Sequence, residues 1–593
     1  MQRSIELVER PFSLAGLSAE RRDQAVVSFV EVDGRRVPVS VVTDLCWQLW
    51  MHHDAPNVPR SSLIANFTPV PVQFLRGLQD IYYRWWTAGM NGRPRPKATT
   101  FVTSFNRIRA FVRWLDERGV RALADVTPLH TATYARMEKS KGITPETLAL
   151  KLLEVNRLYE LREHSTDAIL RNPWPSGSPC EVANLGFDEG EKDEYWAGRT
   201  KVIPDDILSV LYQYCEKVVA NASSILAQRD AGERVLWMDP EVRRIRDAIL
   251  FLIGITTGMR ISEIVAIKPG GYRLDEIDGV TFVWIRSIDF KTGTGEREWM
   301  APIESKDWLS ILARWAIPYQ DTAERRLSEL ESWPPRDDAS REKIADWHAD
   351  VKSLNACCEL LFLSSGGGAN FISTLSTTGA NSALKELAKS AGVEWDPETH
   401  QMRRTYTVSC ARHEFGDIFY LKHQLKHRSL DMTSLYAMNE AQDETLFKEG
   451  IDELRLAKSK LIEEWLDPET ELAGGAAPVI RASQVATVAS RRALAEDISD
   501  KVSIRATGHS WCLGMDRGCG GEGLYESTLC IGCKNSLFTK KHEPIWKGIL
   551  IQQEELEQDE ENIGPGGVRR ARRDAALARE VLSQLAGTVS ELR

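Results

Sequence analysis

Apolar residues recur every three or four positions along much of the chain, which predicts a mainly helical protein. In "TSFNRIRAFVRWLDERG", residues 103–119, one stripe holds most of the apolar side chains, and the arginines lie mostly off it. This spacing is typical of an amphipathic helix with one packed face. Residues 61–175 are therefore predicted to form a helical unit with a positively charged face.

Two stretches carry strand patterns instead. "SFVEVDGRRVPVSVVTD" alternates apolar and polar residues around Asp33-Gly34, which predicts a β-hairpin. "VTFVWIRSIDFKTGTGEREWMAPI" is rich in β-branched and aromatic residues around a glycine-containing turn, which predicts a small antiparallel sheet. Just before it, "VRRIRDAILFLIGITTGMRISEIVAIKPGG" predicts two helices with a break near Thr257-Gly258.

At 593 residues the chain has room for several hydrophobic cores. The turn-rich stretch "NPWPSGSP", residues 172–179, separates the helical unit from a second, mixed unit. The predicted fold is mainly α with a small antiparallel β-sheet. Its segments are an N-terminal segment with the hairpin at 1–60, the helical unit at 61–175, the mixed unit at 200–445, a helix and linker at 446–506, a Cys-rich segment at 507–545 and a charged helical tail at 546–593.

The charge balance changes this picture locally. A formal net charge of −10 excludes a uniformly basic nucleic-acid coat. Two stretches are nevertheless basic: residues 93–121 hold eight Lys and Arg against two acids, and residues 400–428 hold six against two. Each is a candidate DNA surface, with a solvated charged face as the alternative.

The N-terminus has charges where a secretory signal needs an apolar core, and the longest apolar run, "AILFLIGI", is too short to span a bilayer. We therefore expect a cytoplasmic protein. Its ten cysteines are then expected to be thiols or metal ligands and not disulfides.

Six residues form the candidate catalytic set. His400 and Arg403, in "ETHQMRRTY", stand three apart on a predicted helix and face the same way. The other four are Arg260 after the helix break, Lys291 in the turn "FKTGTGERE", and His427 and Tyr436 in "HRSLDMTSLYAMNE". Taken singly, each of the six has an ordinary structural explanation.

Together these residue types suit attack on a phosphodiester. A tyrosine hydroxyl with a pKa near 10 is ionised only about one part in a thousand at neutral pH, so it needs a base and a positive surrounding. Two arginines can hold the non-bridging phosphate oxygens, and a lysine can protonate the leaving oxygen. Histidines can exchange protons with the nucleophile. This chemistry needs no metal ion.

Residues 200–440 resemble the catalytic domain of the tyrosine recombinase (phage integrase) family, in four boxes that stand in the family's order: "TTGMRISEIVAIK", "FKTGTGEREWMAPI", "HQMRRTYTVSC" and "LKHRSLDMTSLYAM". The resemblance implies a nucleophile that forms a 3′-phosphotyrosine link without ATP. It implies these roles: Arg260 and Arg403 as phosphate clamps, Lys291 as general acid, His400 as acid/base partner, His427 as phosphate hydrogen-bonder, Tyr436 as nucleophile and Glu263 as support for Arg260.

One position departs from the family pattern. Where the family usually has Leu-Gly-His, this chain has Leu425-Lys426-His427, which places a cation beside the active-site histidine. His423 and His427 have the spacing of a helical metal pair, but a zinc hydrolase also needs a glutamate that is not there.

Residues 61–175 resemble, more weakly, the family's core-binding domain, which closes a multi-domain clamp around double-stranded DNA. The DNA-contact candidates are Arg107, Arg109, Arg113 and Arg404. The family acts as a homo-tetramer through a Holliday junction. The long amphipathic helix after Tyr436 suits either docking into a neighbouring subunit or packing within its own chain.

The Cys-rich segment brings four cysteines within 22 residues: Cys512, Cys519, Cys530 and Cys533. One Cys-x-x-Cys knuckle with two further thiols fits a structural zinc ion, with His509 or His542 as substitute ligands. The alternative is free or redox-active thiols. Larger recombinases of mobile elements often resemble this chain in having a Cys-rich end, which favours a DNA-integration or transposition enzyme over a chromosome-dimer resolver. A component that depends on other recombinases of the same element is an open alternative.

Two other functions use similar features. A type IB topoisomerase has similar catalytic residues but relaxes supercoils without a specific site. A non-catalytic DNA-binding component keeps the fold but has no need for the whole catalytic set. We expect a nucleoid-associated enzyme in either catalytic case.

Overall fold

The computed structural model is mainly α-helical, with small antiparallel sheets, as the sequence predicts. It describes residues 10–32, 35–90, 92–185, 200–234, 239–277, 280–290, 295–336, 339–365, 371–413, 444–499, 501–514 and 530–586. Lys291, His427, Tyr436 and Cys519 lie outside these ranges. In the part of the chain that is described, every helix is too short or too polar to cross a bilayer.

The first unit joins a small β-region to a helical bundle. Val32 pairs with Arg35 across strands β1 and β2, which are the two strands that the alternating pattern predicts. One hydrophobic core runs from Leu14 to Ala183, so the strands and the helices form a single packed body. Its elements are α1 (Ala19–Asp23), β1 (Val26–Val32), β2 (Arg35–Val41), β3 (Cys46–Gln48), β4 (Ile64–Asn66), α2 (Val72–Ala88), α3 (Ala98–Asp116), α4 (Pro128–Lys139), α5 (Pro145–Glu160) and α6 (Pro179–Val182).

The second unit has its own core, from Ile203 to Met402, around one helix that is buried from Ile245 to its end. That helix, α8, begins after Asp239, whose carboxylate accepts hydrogen bonds from the first backbone N–H groups, and ends at Gly258. The elements are α7 (Asp205–Asp230), α8 (Pro240–Thr257), α9 (Ile261–Val265), β5 (Tyr272–Ile277), β6 (Val280–Asp289), β7 (Gly295–Ala301), α10 (Ser305–Ser332), α11 (Arg341–Glu359), β8 (Leu363–Ser365), β9 (Ile372–Thr374), α12 (Thr377–Ser390) and α13 (Thr399–His413).

Strands β5, β6 and β7 form the predicted three-stranded antiparallel sheet. The register pairs Asp289 with Gly295, and Lys291 belongs to the stretch of sequence between these two residues. The sheet packs against α9, where the Ser287 hydroxyl donates a hydrogen bond to the Glu263 carbonyl oxygen. The turn therefore begins beside the helix that follows Arg260.

The C-terminal part forms two smaller cores around a four-stranded sheet of order β10-β13-β12-β11. Helix α14 lies against α13 and α16 of its own chain. The elements are α14 (Glu444–Trp465), β10 (Leu472–Ala473), α15 (Ala477–Ala482), α16 (Val488–Ile498), β11 (Arg505–Ala506), β12 (Trp511–Cys512), β13 (Ser536–Thr539), α17 (Glu543–Gln558) and α18 (Glu560–Leu585), which is kinked at Gly564.

Helix α11 of the second unit packs on the first unit. Its residues Ala345 and Ala349 are buried in the first core. Two ion pairs cross the contact. Arg341 Nη1 of α11 lies 3.1 Å from Asp44 Oδ2, and Arg60, between β3 and β4, lies 2.5 Å from Asp346. The two units therefore share one continuous contact surface.

Candidate active site

Two glycines on α8 let α13 approach closely. A Cβ atom on Gly254 would lie 2.7 Å from Met402 Cε, and one on Gly258 would lie 2.4 Å from Tyr406 Cδ1. The two glycines are four residues apart, and so are Met402 and Tyr406, so each glycine faces one large side chain on successive helical turns. Buried contact between α8 and α13 thus depends on the absence of side chains at 254 and 258.

This packing brings Arg403 to the end of α8. Its Nη1 donates a hydrogen bond to the Gly258 carbonyl oxygen at 2.6 Å. Gly258 has a φ of 64°, a left-handed conformation that ends the helix and turns the chain toward Arg260. The two arginines, 143 positions apart in sequence, therefore meet at one helix end.

Arg260 is held by two carboxylates. Glu263 accepts hydrogen bonds from the Arg260 backbone N–H and from Arg260 Nη1, both at 2.7 Å. Asp289, at the end of β6, lies 3.9 Å from the same Nη1. Because Asp289 is two residues before Lys291, the contact also locates the start of the lysine turn beside Arg260.

Glu263 is completely buried, and its carboxylate is the centre of this arrangement. Burial raises the pKa of Glu263 above its usual range, while the hydrogen bonds from Arg260 and the charge of Arg403 oppose that rise. A buried carboxylate of this kind costs free energy unless it is paired. Glu263 therefore fixes the Arg260 guanidinium, and the charges of both arginines favour its ionised form.

His400 lies one helical turn before Arg403 on α13 and is exposed. The helix is anchored at its start, because Thr399 N–H donates to Asn381 Oδ1 at 3.0 Å. Farther along it, Thr405 Oγ1 accepts a hydrogen bond from the Ile203 N–H at 3.0 Å. The described part of the site thus contains Arg260, Glu263, His400 and Arg403; Lys291, His427 and Tyr436 stay predictions.

The predicted DNA-contact arginines differ in surroundings. Arg113 is exposed, whereas Arg107 and Arg109 are half-buried. Arg109 Nη1 donates to the Asn66 carbonyl oxygen at 3.2 Å. Since residues two apart point to different sides of a helix, Arg109 and Arg113 share a face that Arg107 does not. Arg404, beside Arg403 on α13, is half-buried.

One contact that the sequence does not signal joins the basic stretch of the first unit to the β6–β7 turn. Lys97 Nζ donates a hydrogen bond to the Phe290 carbonyl oxygen at 3.0 Å. Phe290 directly precedes Lys291. The first unit therefore reaches the edge of the candidate active site.

In the Cys-rich segment, Cys512 on β12 pairs with Ser536, and Cys533 N–H donates to the Cys530 carbonyl oxygen at 3.3 Å. Among the described residues, no group of three or more His, Cys, Asp or Glu side chains is placed to hold a metal ion. His509 and His542 are buried against tryptophans. The described residues therefore do not support the zinc prediction, and its fourth cysteine, Cys519, lies outside them.

Residues 233–443 match the family model described as "Phage integrase family". The matched part contains all six candidate catalytic residues, and it lies within the predicted mixed unit. The similarity to the phage integrase family therefore covers the part of the chain that holds the candidate site. A search of curated proteins found no match to the chain.

Solved structures of tyrosine recombinases show distant likeness to the chain. The pre-cleavage complex of XerH recombinase with its difH substrate is 14% identical, with a TM-score of 0.31, and the match covers 59% of this chain and 81% of that one. A dimer of lambda integrase residues 75–356 on a COC′ core site is 16% identical, with a TM-score of 0.27, and the match covers 62% and 96%. XerA recombinase is 14% identical, with a TM-score of 0.19, over 60% and 91%.

The close approach of α8 and α13 predicts a measurable difference between two glycines. The Gly258→Ala variant is expected to lose roughly 2–4 kcal/mol of folding free energy, because alanine pays a left-handed backbone cost and also meets the Tyr406 ring. Gly270→Ala is the matched control, since its φ is 67° and a Cβ there would meet no atom within 4 Å. Thermal unfolding of the two variants measures the difference, and equal losses would contradict the packing described here.

Proposed function

We propose that this protein is a site-specific DNA recombinase of a mobile genetic element, which cuts and rejoins DNA through a 3′-phosphotyrosine intermediate at Tyr436. The observation that supports it most is the meeting of Arg260 and Arg403 at the end of α8, each held by a contact that fixes its guanidinium. Two guanidiniums fixed in this way suit the non-bridging oxygens of one phosphate.

In the proposed reaction the Tyr436 oxygen attacks the scissile phosphorus. A new phosphorus–oxygen bond forms to the tyrosine, the bond to the 5′ oxygen breaks, and the tyrosine proton passes to His400 or to solvent. Lys291 donates a proton to the leaving 5′ oxygen. Arg260 and Arg403 stabilise the extra negative charge on the five-coordinate phosphorus.

The bond count explains why this scheme requires no ATP, and the two arginines supply the charge stabilisation for which a metal ion is otherwise used. One phosphoester is exchanged for another, so its free energy is kept in the protein–DNA link. A 5′ hydroxyl from a partner strand then attacks the link and regenerates Tyr436. Exchange of two duplexes needs four such cleavages, which fits a tetramer in which each subunit cuts one strand.

The proposed DNA path runs between the two units. The first unit presents Arg113 and Arg109 on one face of α3, and the second presents Arg404 next to Arg403. Lys97, bonded to the carbonyl oxygen of Phe290, ties the first unit to the turn that holds Lys291. Closure of both units around double-stranded DNA therefore places the scissile phosphate near the catalytic arginines. We expect the enzyme to act at the nucleoid.

The test of this function is covalent trapping in cells. Protein-linked DNA is isolated under denaturing conditions and sequenced across the link. Adducts at one defined sequence would establish a site-specific recombinase, whereas adducts scattered over the genome would establish a topoisomerase of type IB. If the protein occupies DNA but forms no adducts, the protein is a non-catalytic DNA-binding component.

We also propose that Cys512, Cys519, Cys530 and Cys533 hold one structural zinc ion. The Cys-x-x-Cys spacing of Cys530 and Cys533, with two further cysteines within 22 residues, is the sequence feature that supports this arrangement. The purified protein is then expected to contain about one zinc ion per chain. A Cys533→Ser variant should lose that zinc and the stability of the C-terminal part, whereas Cys46→Ser, at an exposed cysteine of the first unit, should change neither. Full stability without any bound zinc, measured by elemental analysis and thermal unfolding, would refute the site.

A further inference from the structure

A cavity of about 450 Å³ lies at the contact between the first unit and helix α11, apart from the residues of the candidate active site. Ligand sites of this size are common where two units of a protein meet. Its walls come from both units. Its lining includes Arg10, Phe29, Glu31, His52 and Arg95 of the first unit and His348 of α11. We call this cavity the junction pocket.

The arginines in and beside the junction pocket rest on aromatic rings. The guanidinium carbons of Arg10 and Arg36 lie 4.9 and 4.7 Å from the centre of the Phe29 ring. That of Arg95 lies 5.7 Å from the Trp86 ring. A ring attracts a cation but carries no net charge, so these contacts hold the arginines without neutralising them.

Two acidic residues lie near this charge: Glu31 in the wall, and Asp54, which acts on His52 from outside the lining. Glu31 is the one acidic residue among the described residues that line the pocket, and it lies 3.6 Å from Arg36 with both side chains exposed. Burial lowers the pKa of Arg10, and the neighbouring charges of Arg95 and Arg36 lower it further. Two arginines, Arg10 and Arg95, therefore line a cavity whose one carboxylate is already paired with Arg36 beside it.

Two buried nitrogen atoms belong to the lining residues Arg10 and His52. Arg10 Nε and His52 Nε2 have no hydrogen-bond partner among the residues that the structure describes. Buried polar atoms are normally paired, and each exception calls for an explanation. The ring of His52 is packed edge-on against Phe29 and Trp86, at 6.0 and 5.4 Å between centres, which fixes its position.

We propose that the junction pocket binds a phosphate group, supplied either by the backbone of DNA or by a small phosphate compound. A phosphate neutralises the clustered arginines and accepts hydrogen bonds from several nitrogen atoms at once, as guanidinium groups favour. The ligand touches the first unit through Arg10 and Arg95 and the second through His348. Binding therefore braces the contact between the two units that the Arg341–Asp44 ion pair also holds.

This proposal does not depend on catalysis at Tyr436, and it is tested on the full chain with two ligands. Inorganic pyrophosphate is titrated by calorimetry, and duplex DNA is titrated by fluorescence anisotropy over a series of salt concentrations. The variants are Arg10→Gln and Arg95→Gln. The control is Arg35→Gln, which removes the same charge from an exposed arginine at the β1–β2 turn. Thermal unfolding without ligand shows that each variant is folded.

If small phosphate compounds are the ligand, pyrophosphate binds the unaltered protein, and Arg95→Gln weakens it by roughly tenfold or more while Arg35→Gln does not. If DNA is the source, pyrophosphate does not bind, but Arg10→Gln and Arg95→Gln weaken DNA binding and each lowers the salt-dependence slope by about one. Either result supports a phosphate site. The proposal is overturned if neither affinity responds to Arg10 and Arg95, or if Arg35→Gln has the same effect.

Discussion

The Tyr436→Phe variant is expected to lose all covalent attachment to DNA while it binds duplex DNA as tightly as the unaltered protein. The change removes one oxygen atom, which is the proposed nucleophile, and leaves the ring and every proposed DNA-contact arginine in place. Without that oxygen no phosphotyrosine forms, so the loss exceeds that of any other single substitution. Protein-linked DNA recovered from cells measures the first expectation, and a gel-shift titration of purified protein measures the second.

Tyr420→Phe is the matched control, because Tyr420 is another tyrosine of the same family domain, 16 positions earlier in the chain. It is expected to keep its adducts. Adducts that persist in Tyr436→Phe and disappear in Tyr420→Phe would move the nucleophile to the other tyrosine. Loss in both variants, with DNA binding also lost, would indicate a general effect of substitution on this segment.

The Arg403→Lys variant is expected to cleave its DNA site about 10²- to 10³-fold more slowly. Lysine keeps the positive charge but replaces a planar fork of donors by a single ammonium group. It also loses the geometry of the hydrogen bond to the Gly258 carbonyl oxygen that holds the guanidinium at the end of α8. Single-turnover cleavage of the recovered site, at saturating protein, separates this loss from weaker binding.

Arg404→Lys is the control for this variant, since it makes the same exchange at the next residue of α13. Because Arg404 is proposed to contact the DNA backbone, its substitution is expected to change the affinity for DNA and the salt dependence of binding. The cleavage rate of bound DNA is expected to stay the same. The assignment of Arg403 to the reacting phosphate is wrong if the two variants lose cleavage rate equally.

Several elements were predictable because their signals are local. The break at Thr257-Gly258 follows from glycine at a left-handed position, and the structure confirms a helix that ends at Thr257. The β6–β7 sheet follows from β-branched and aromatic residues around a glycine-containing turn. The helix predicted to carry His400 and Arg403 is present as α13.

The contacts that assemble the site were not predictable in the same way. Gly254 and Gly258 read as ordinary helix and turn residues until Met402 and Tyr406 are placed against them, and the two pairs are 148 positions apart in the chain. Asp289 has an acidic side chain in a strand, and only the sheet register brings it to Arg260. Periodicity describes which face of an element is buried, but it does not name the partner of that face.

The basic stretch shows a second limit. Its arginines read as one positive face, yet Arg109 uses a guanidinium nitrogen to bond the Asn66 carbonyl oxygen within the fold. In the C-terminal part, strands of two residues such as Leu472–Ala473 and Arg505–Ala506 are too short to show alternation. The four-stranded sheet that they build was therefore absent from the prediction.

Peptide mapping of the adduct shows which residue of the protein carries the DNA. Trypsin cuts after Arg428 and Lys448, and the peptide between them, residues 429–448, contains Tyr436 as its only tyrosine. The trapped adduct is digested with trypsin and nuclease, and the peptide that keeps a nucleotide is identified by mass spectrometry. We expect the nucleotide on Tyr436 through its 3′ phosphate; a nucleotide on a different residue, or one linked through a 5′ phosphate, would contradict the account.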